Sequence, residues 1–318
     1  MIMKKILVIG AAGQIGTDLT GELRSRHGGE QVVASDIKLA PEDVMQGGPF
    51  VKLDAMDNKK LEKIIDEYGI TEIYHLAAIL SGNAEKNPKW AWDLNMNSLF
   101  NVLDVSRAKG IQKIFWPSSM GAFGPTTPEW DTPQVTVMEP TTVYGISKLA
   151  GERWVEYYHT KYGMDIRSLR YPGLISYKTE AGGGTTDYAV EIFYQAIKCG
   201  KYECFLSEDI ALPMMFMDDA VEATIQLMDA PSKDIRVRSS YNLGGISFTP
   251  RELADEIRKY IPELEVTYKP DFRQEIAESW PRRISDDAAQ RDWGWQQQYD
   301  LEKMSRVMIE KIREKMGV

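Results

Sequence analysis

Cysteine and histidine are scarce in this chain of 318 residues: two cysteines, Cys199 and Cys204, and three histidines, His27, His75 and His159. Two cysteines make no disulfide framework; as packed free thiols they suit a reducing cytoplasm. The histidines are scattered and stand apart from the cysteines, so no cluster has zinc-ligand spacing and no metal is expected. Basic charge is not in excess either. A formal net charge of −9 leaves no electrostatic footprint for nucleic acid. No apolar run reaches the ~20 residues needed to cross a bilayer, so no membrane span is expected. The run Ile6–Ile9 is short and leads straight into glycines, unlike a secretion leader. Internal repeats and Pro/Ser-rich linkers are missing too. What remains, 43% apolar and 27% charged residues, describes an ordinary globular chain able to bury a sizeable core.

The chain opens with a strand–turn–helix pattern. Ile6–Ile9 reads as a buried parallel strand, and Gly10, Gly13 and Gly16 follow at three-residue spacing. Ile15, Leu19 and Leu23 then share one helical face. Glycines there permit a tight turn and let backbone N–H groups, with Gln14 and Ile15 between them, approach a pyrophosphate at the helix N-terminus. A plain strand–turn–helix remains the simpler alternative. The next strand, Gln31–Asp36, ends in an acid twenty residues past Gly16. Asp36 there can accept hydrogen bonds from adenosine ribose hydroxyls and would repel a 2′-phosphate, which favours NAD over NADP. It also suits a turn or a helix cap.

Strand and helix keep alternating from Met3 to about Arg170. Strands are expected at Phe50–Asp54, Thr71–Ala78, Lys113–Ser119 and Ile166–Tyr171, and helices at Leu61–Tyr68, Asn83–Lys109 and Tyr144–Tyr162. This pattern predicts an α/β fold with a doubly wound, Rossmann-type parallel sheet. Leu53 and Asp54 are placed to flank an adenine. Leu76, Ala77 and Ala78 end a strand in small residues beside which a cofactor can lie. Beyond Arg170 the alternation breaks. Helices are expected at Asp187–Lys198, Asp218–Met228, Pro250–Tyr260 (capped by Thr249) and Leu301–Lys315, with strands at Ser240–Leu243 and Leu264–Tyr268. The expected organisation is a dinucleotide-binding domain over 1–170, to which 205–235 return, and a smaller substrate-binding lobe over most of 171–318.

Tyr144 and Lys148 stand four residues apart in TVYGISKLAG and leave one face of a helix together. An ammonium one turn away favours the phenolate, so Tyr144 is a candidate base for an alcohol proton. The same spacing occurs on helices with nothing to do. Here it comes with the glycine turn, Asp36, Asn95 in NMNS, and Ser119 placed 25 residues before Tyr144. In that order these motifs resemble the extended short-chain dehydrogenase/reductase family. HLAAILSGNAEKNP, WPSSMGAFGP, LRYPGLIS, GGGTTDYA and SWPRRISDD…DWGW resemble its threonine-oxidising branch along nearly the whole chain.

The resemblance implies oxidation of the L-threonine 3-hydroxyl by NAD, giving L-2-amino-3-oxobutanoate and NADH. It implies that Tyr144 removes the proton and that Ser119, beside Ser118, orients the substrate oxygen. Lys148 would also hold the nicotinamide ribose, Tyr171 and Pro172 would lie beside the cofactor, and Asn95 would support a proton-relay water. Ser119 also suits a turn cap, and Asn95 a buried amide serving backbone. Burying a zwitterion requires partners for both charges. Ser81, Gly184, Thr185 and Thr186 are candidates for carboxylate and hydroxyl, and Asp187 for the ammonium, although Asp187 equally suits a helix start. Trp280 suits a pocket wall or a core anchor. The run Gly182–Thr186 has the composition of a hinge. Related proteins pair two long helices into a four-helix bundle, which implies a homodimer through Asn83–Lys109 and Tyr144–Tyr162 unless Trp90, Trp92 and Trp154 are internal. Two other functions stay open. A nucleotide-sugar epimerase or dehydratase would use Arg282–Arg283 for a diphosphate, but Arg170-Tyr171-Pro172-Gly173 lacks that class's asparagine and Met120 stands where dehydratases need an acid. A non-catalytic dinucleotide sensor would have no need of Tyr144, Lys148 and Ser119.

Overall fold

The structure, a computed structural model, describes residues 4–179 and 182–318. Met3, where the expected alternation begins, lies outside them, as do two positions of the expected second lobe, 180 and 181.

Six short strands pair in parallel as one sheet, in the order Phe50–Lys52, Val32–Asp36, Ile6–Ile9, Glu72–His75, Lys113–Phe115 and Ile166–Arg167. This is the doubly wound arrangement expected from the alternating pattern. Side chains of Ile6–Ile9 alternate between the two faces. Ile6 and Val8 pack with Leu19 and Leu23 of helix Gln14–His27 and with Met217, Ala220 and Val221 of helix Met217–Asp229. Leu7 and Ile9 pack instead with Leu61 and Ile64 of helix Asn58–Tyr68 and Leu99 of helix Pro88–Lys109. Both faces being covered, the central strands can be uniformly apolar. The strand order reverses between Ile6–Ile9 and Glu72–His75. A crevice opens at such a switch point, beyond the strands' C-terminal ends, and here those ends lead into Gly10 and Leu76.

Two expected elements are broken by proline. The helix expected from Asn83 is a short Ser81–Ala84 turn followed by Pro88–Lys109. Pro88 takes the first helical turn, where its missing N–H costs nothing, and Asn87 before it is held at φ −147° and ψ 75°. The strand expected over Lys113–Ser119 stops at Phe115, ahead of Pro117. Ser118–Ser119 then joins a separate parallel sheet with Leu169–Tyr171 and Tyr241–Asn242. Thr249 caps Pro250–Arg258 as expected, in a reciprocal capping box with Glu252.

Strands Gly173–Ile175, Leu212–Phe216 and Ile246–Phe248 form another small sheet, and Lys201–Cys204 pairs with Glu265–Tyr268. Of these, only Glu265–Tyr268 matches an expected strand. A separate apolar core runs from Met120 and Ile175 through Phe193, Phe216 and Trp280 to Ile312 of helix Leu301–Met316. Among the described residues, no helix is long and apolar enough to cross a membrane.

Candidate active site

One cleft, with about 1030 Å3 of empty space including its open mouth, lies at the switch point. Gly10, Gly13, Gln14, Ile15 and Gly16 line one end. Gly13 is the N-cap of Gln14–His27, and among the described residues no side chain caps that helix. The first-turn N–H groups, which have no intrahelical acceptor, therefore remain for an anion. A β-carbon on Gly16 would sit 2.1 Å from the Gly10 carbonyl oxygen, so the turn tolerates no side chain there. Gln14 Nε2 is buried in the same end of the cleft without a partner among the described residues. These features fit a dinucleotide diphosphate.

Asp36 closes the turn rather than standing free. Its Oδ2 accepts from the Ala12 N–H and its Oδ1 from the Lys38 N–H, both at 3.0 Å. The turn role and the ribose role are compatible, since each carboxylate oxygen keeps a second acceptor site. Leu53 is buried in the core beneath Asn58–Tyr68, so its backbone and not its side chain is available to an adenine. Asp54 Oδ1 accepts from Met56 N–H at 2.9 Å. Ala77 packs against the same core, while Leu76 and Ala78 line the cleft. A β-carbon on Gly10 would meet Ala77 N at 2.8 Å, which brings the glycine turn against this strand end.

Ser119, Tyr144 and Lys148 meet on the cleft floor. Thr142 caps helix Val143–Tyr162 by accepting from Gly145 N–H, and so delivers Tyr144 in its first turn. Burial pushes the Tyr144 phenol above its usual value, and the neighbouring Ser119 hydroxyl pulls it back. The expected lowering by Lys148 is corrected here. Lys148 Nζ donates to the Pro117 carbonyl at 2.6 Å and stands 4.7 Å over the Trp116 ring and 5.5 Å over the Tyr144 ring. Burial brings the Lys148 ammonium down to about 7, with Glu152 opposing. A lysine that titrates near neutrality is only partly charged at pH 7, so its pull on the phenol is weak.

Ser118 lines the cleft, and its hydroxyl donates to Glu152 Oε1 at 2.6 Å. Glu152 is fully buried and takes both Nε and Nη2 of Arg170, at 2.8 and 2.7 Å. Arg170 Nη1 reaches on to Asn242 Oδ1 at 2.9 Å. Asn95 lies off the cleft lining. Its Oδ1 accepts from Ile79 N–H and its Nδ2 donates to the Ile79 carbonyl and to Ser147 Oγ. With these bonds Asn95 clasps the segment that carries Ala78 and Leu80 into the cleft.

Two segments about a hundred residues apart form the outer wall. Ser81 Oγ lies 3.3 Å from Thr185 Oγ1, and both residues are buried. A β-carbon on Gly82 would meet the Gly183 carbonyl oxygen at 2.6 Å, so the two backbones touch. Gly184, Thr185, Thr186, Asp187 and Trp280 all line the cleft. Asp187 Oδ2 accepts from Gly183 and Gly184 N–H at 2.7 Å each, and burial nevertheless pushes its carboxyl up. Trp280 is both wall and core. Tyr171 and Pro172 line the cleft, the Tyr171 hydroxyl being turned to Thr224. The arginines proposed for a sugar diphosphate are held elsewhere. Arg283 pairs with Asp131, and Arg282 donates to the Ala277 and Glu278 carbonyls.

Sequence reasoning missed Glu152, His75, Leu80, Met120, Leu174 and the Pro117 carbonyl. His75 is buried behind Lys148, bonded to Ser98, and held neutral, its imidazole pushed down to about 3 by burial and the lysine charge. An acid one turn after Lys148 was the available sign for Glu152; the others depend on contacts that only the fold creates.

Known proteins resemble this chain along nearly its whole length. A family model described as NAD dependent epimerase/dehydratase matches residues 6–244. The mitochondrial L-threonine 3-dehydrogenase of Bos taurus is 45% identical over 307 residues, 96% of this chain and 82% of the relative. A solved L-threonine dehydrogenase from Cupriavidus necator, in holo form, superposes with a TM-score of 0.95 at 52% identity, covering 97% and 99% of the two chains. A monomeric L-threonine 3-dehydrogenase from a metagenome gives 0.94 at 46%, covering 98% and 99%. With the glycine turn, Asp36, Ser119 and the Tyr144–Lys148 helix all inside the matched residues, the chain belongs to the NAD dependent epimerase/dehydratase family of extended short-chain dehydrogenases/reductases.

Proposed function

We propose that this protein oxidises the 3-hydroxyl of L-threonine with NAD, giving L-2-amino-3-oxobutanoate and NADH. One observation carries the reading: Ser119, Tyr144 and Lys148 share a single cleft with an uncapped glycine-turn helix start and a Ser81–Thr185 wall. The likeness to L-threonine dehydrogenases extends through the residues of that wall and supports this substrate.

NAD, when bound, supplies the hydride acceptor. The amides of Gly13–Gly16 would hold its diphosphate, Asp36 its adenosine ribose, and Leu53–Asp54 its adenine. Leu76, Ala77 and Ala78 would lie beside it, Lys148 would hold the second ribose, and Tyr171 and Pro172 would contact the nicotinamide end. Tyr144 takes the hydroxyl proton, with Ser119 as the neighbour that eases its ionisation. Ser119 orients the substrate oxygen. Ser81, Thr185 and Thr186 receive the carboxylate, and Asp187 offers Oδ1 to the ammonium. Residues 1–170 with 205–235 act as the cofactor domain and most of 171–318 as the substrate lobe. Gly182–Thr186 closes over threonine and excludes water. A cytoplasmic setting fits the two free thiols.

A homodimer through helices Pro88–Lys109 and Val143–Tyr162 belongs to the same reading. Trp90, Trp92, Ile146, Trp154 and Tyr157 are exposed on these helices, which removes the alternative that the tryptophans are internal. Light scattering at low concentration decides: a monomer mass, as for the metagenomic relative, removes the dimer.

The functional test follows NADH absorbance with L-threonine, L-serine, L-allo-threonine and UDP-glucose in parallel. A steady rise with L-threonine alone is expected, and Tyr144→Phe should lose turnover about 10²–10⁴-fold with NAD binding retained. No rise with any amino acid would refute the reading and favour a sugar-nucleotide enzyme that keeps its cofactor.

A further inference from the structure

Glycine inside a helix weakens it relative to alanine, so a helical glycine in tight contact invites a reason. Gly145 follows Tyr144 in the first turn of Val143–Tyr162. A β-carbon on Gly145 would lie 2.1 Å from the Gly121 carbonyl oxygen and 2.7 Å from Pro140 Cβ. The helix start therefore meets the Met120–Ala122 turn backbone to backbone. On the other side of that turn, a β-carbon on Gly121 would lie 3.2 Å from two ring carbons of Tyr144 and 3.5 Å from Ser119 Oγ. Gly121 also donates its N–H to Ser119 Oγ at 3.1 Å. A serine hydroxyl carries a single proton. The Gly121 N–H takes one acceptor site of the Ser119 oxygen, and the single Ser119 proton is available to the Tyr144 oxygen or a substrate oxygen.

We propose that Gly121 and Gly145 are positioning residues: their backbone contact sets the separation of Ser119 from Tyr144, and the Gly121 N–H sets the direction in which Ser119 donates. This rests on the reading of Tyr144 as the base and Ser119 as its partner. Neither glycine is among the residues lining the cleft, so both act through their neighbours. The clasp keeps Ser119 against the phenol, where its hydroxyl counters the rise that burial imposes. The other titratable groups around this site are Lys148, whose Nζ is turned to Pro117, beyond it Glu152, paired with Arg170, and the neutral His75, with Glu85 accepting from Val143 N–H and Asp187 on the cleft's outer wall. None of these is among the nearest atoms that a β-carbon at Gly121 or Gly145 would meet.

The test compares Gly121→Ala and Gly145→Ala with Gly21→Ala, an interior helix glycine whose added β-carbon meets nothing within 4 Å. Tyr144 is titrated directly by NMR of protein labelled at tyrosine Cζ, with Tyr144→Phe identifying its signal and no cofactor or substrate present. Turnover of L-threonine and the NAD dissociation constant are measured alongside. In Gly121→Ala the phenol should titrate about 0.5–1 unit higher, the effect of one weakened hydrogen bond. Its kcat should fall about three- to tenfold through misplacement of reacting groups, with NAD affinity within about twofold of wild type. Gly145→Ala should do more of both; if it fails to fold, Gly121→Ala decides alone. Gly21→Ala should change neither. A folded Gly121→Ala protein whose Tyr144 titration is unmoved overturns the proposal, as does a kcat loss without the titration shift. Because the titration needs no substrate, a shift in a protein that oxidises no L-threonine would refute the assigned function and leave the clasp standing.

Discussion

Lys148 is kept at a site that disfavours its charge, so replacing it should stabilise the fold while removing turnover. Burial brings its ammonium from 10.5 down to about 7. That difference of about 3.5 units, at ~1.4 kcal/mol each, is a penalty of about 5 kcal/mol for the charged form in the folded protein. Methionine has nearly the same length and no charge. It leaves the Pro117 carbonyl without its donor, which offsets part of the gain. Glu152 keeps its partner in Arg170, so no new unpaired charge appears. Lys148→Met should therefore be about 2–4 kcal/mol more stable than wild type near ~pH 6. The sign can be checked through pH. The folded value lies below the unfolded one, so between about pH 7 and 10.5 the unfolded chain binds more protons and wild-type stability rises with pH. The penalty is fully present below about 7 and gone above about 10.5. Urea unfolding of both proteins across this range should show a wide gap in acid that closes by ~pH 10. A constant gap, or a methionine variant less stable in acid, would refute the reasoning. The stability gained by a protein that cannot turn over would place this lysine among residues kept for function at the expense of the fold.

Three other substitutions test the surroundings. Glu152→Ala leaves Arg170 buried without its carboxylate and should cost about 3–5 kcal/mol in urea unfolding, while the Lys148 titration moves lower still. Asp36→Asn keeps one of two backbone acceptors but loses the charge. Stability should fall by about 1 kcal/mol, and the NAD-to-NADP affinity ratio should drop about tenfold; equal loss for both dinucleotides would make Asp36 a fastener of the glycine turn only. Thr185→Val removes the hydroxyl beside Ser81 and should raise the KM for L-threonine about tenfold with NAD affinity unchanged, whereas weakened NAD binding would place Thr185 elsewhere in the cycle.

The parts of this molecule that were legible in its sequence are those set by local rules. The strand Ile6–Ile9, the glycine turn and the Tyr144–Lys148 helix each declare themselves through spacing and periodicity over fewer than about twenty residues. The short strands Gly173–Ile175, Lys201–Cys204 and Leu212–Phe216 did not, because each is fixed by a distant partner and carries too few residues for a period. Pro88 and Pro117 were in plain view, yet a long apolar pattern on either side outweighed them in the sequence reading. In the fold their lost donors and steric limits prevail, and each break aims something at the cleft. Ahead of the first, the short Ser81–Ala84 turn brings Ser81 to Thr185. The second turns Ser118–Ser119 into another sheet and offers the Pro117 carbonyl to Lys148.

The same distinction explains why motif reading placed Tyr144 and Lys148 together but not the surroundings that set their electrostatics. A Tyr-x-x-x-Lys spacing guarantees that both side chains leave one helical face. It says nothing about what else lies there. Here the decisive neighbours come from elsewhere in the chain: the Pro117 carbonyl takes the lysine's proton donor, Trp116 lies under its ammonium, and His75 closes the space behind it. These burials push the tyrosine up and the lysine down together. With both shifted toward their neutral forms, the site holds an uncharged pair near neutrality more readily than a phenolate–ammonium pair. Moving a proton from a substrate hydroxyl to Tyr144 therefore requires charge brought in with the ligands or retained on Lys148 by Glu152. In the proposed reaction the buried carboxylate one turn beyond the motif, tied down by Arg170 from another sheet, would serve the chemistry as well as the fold.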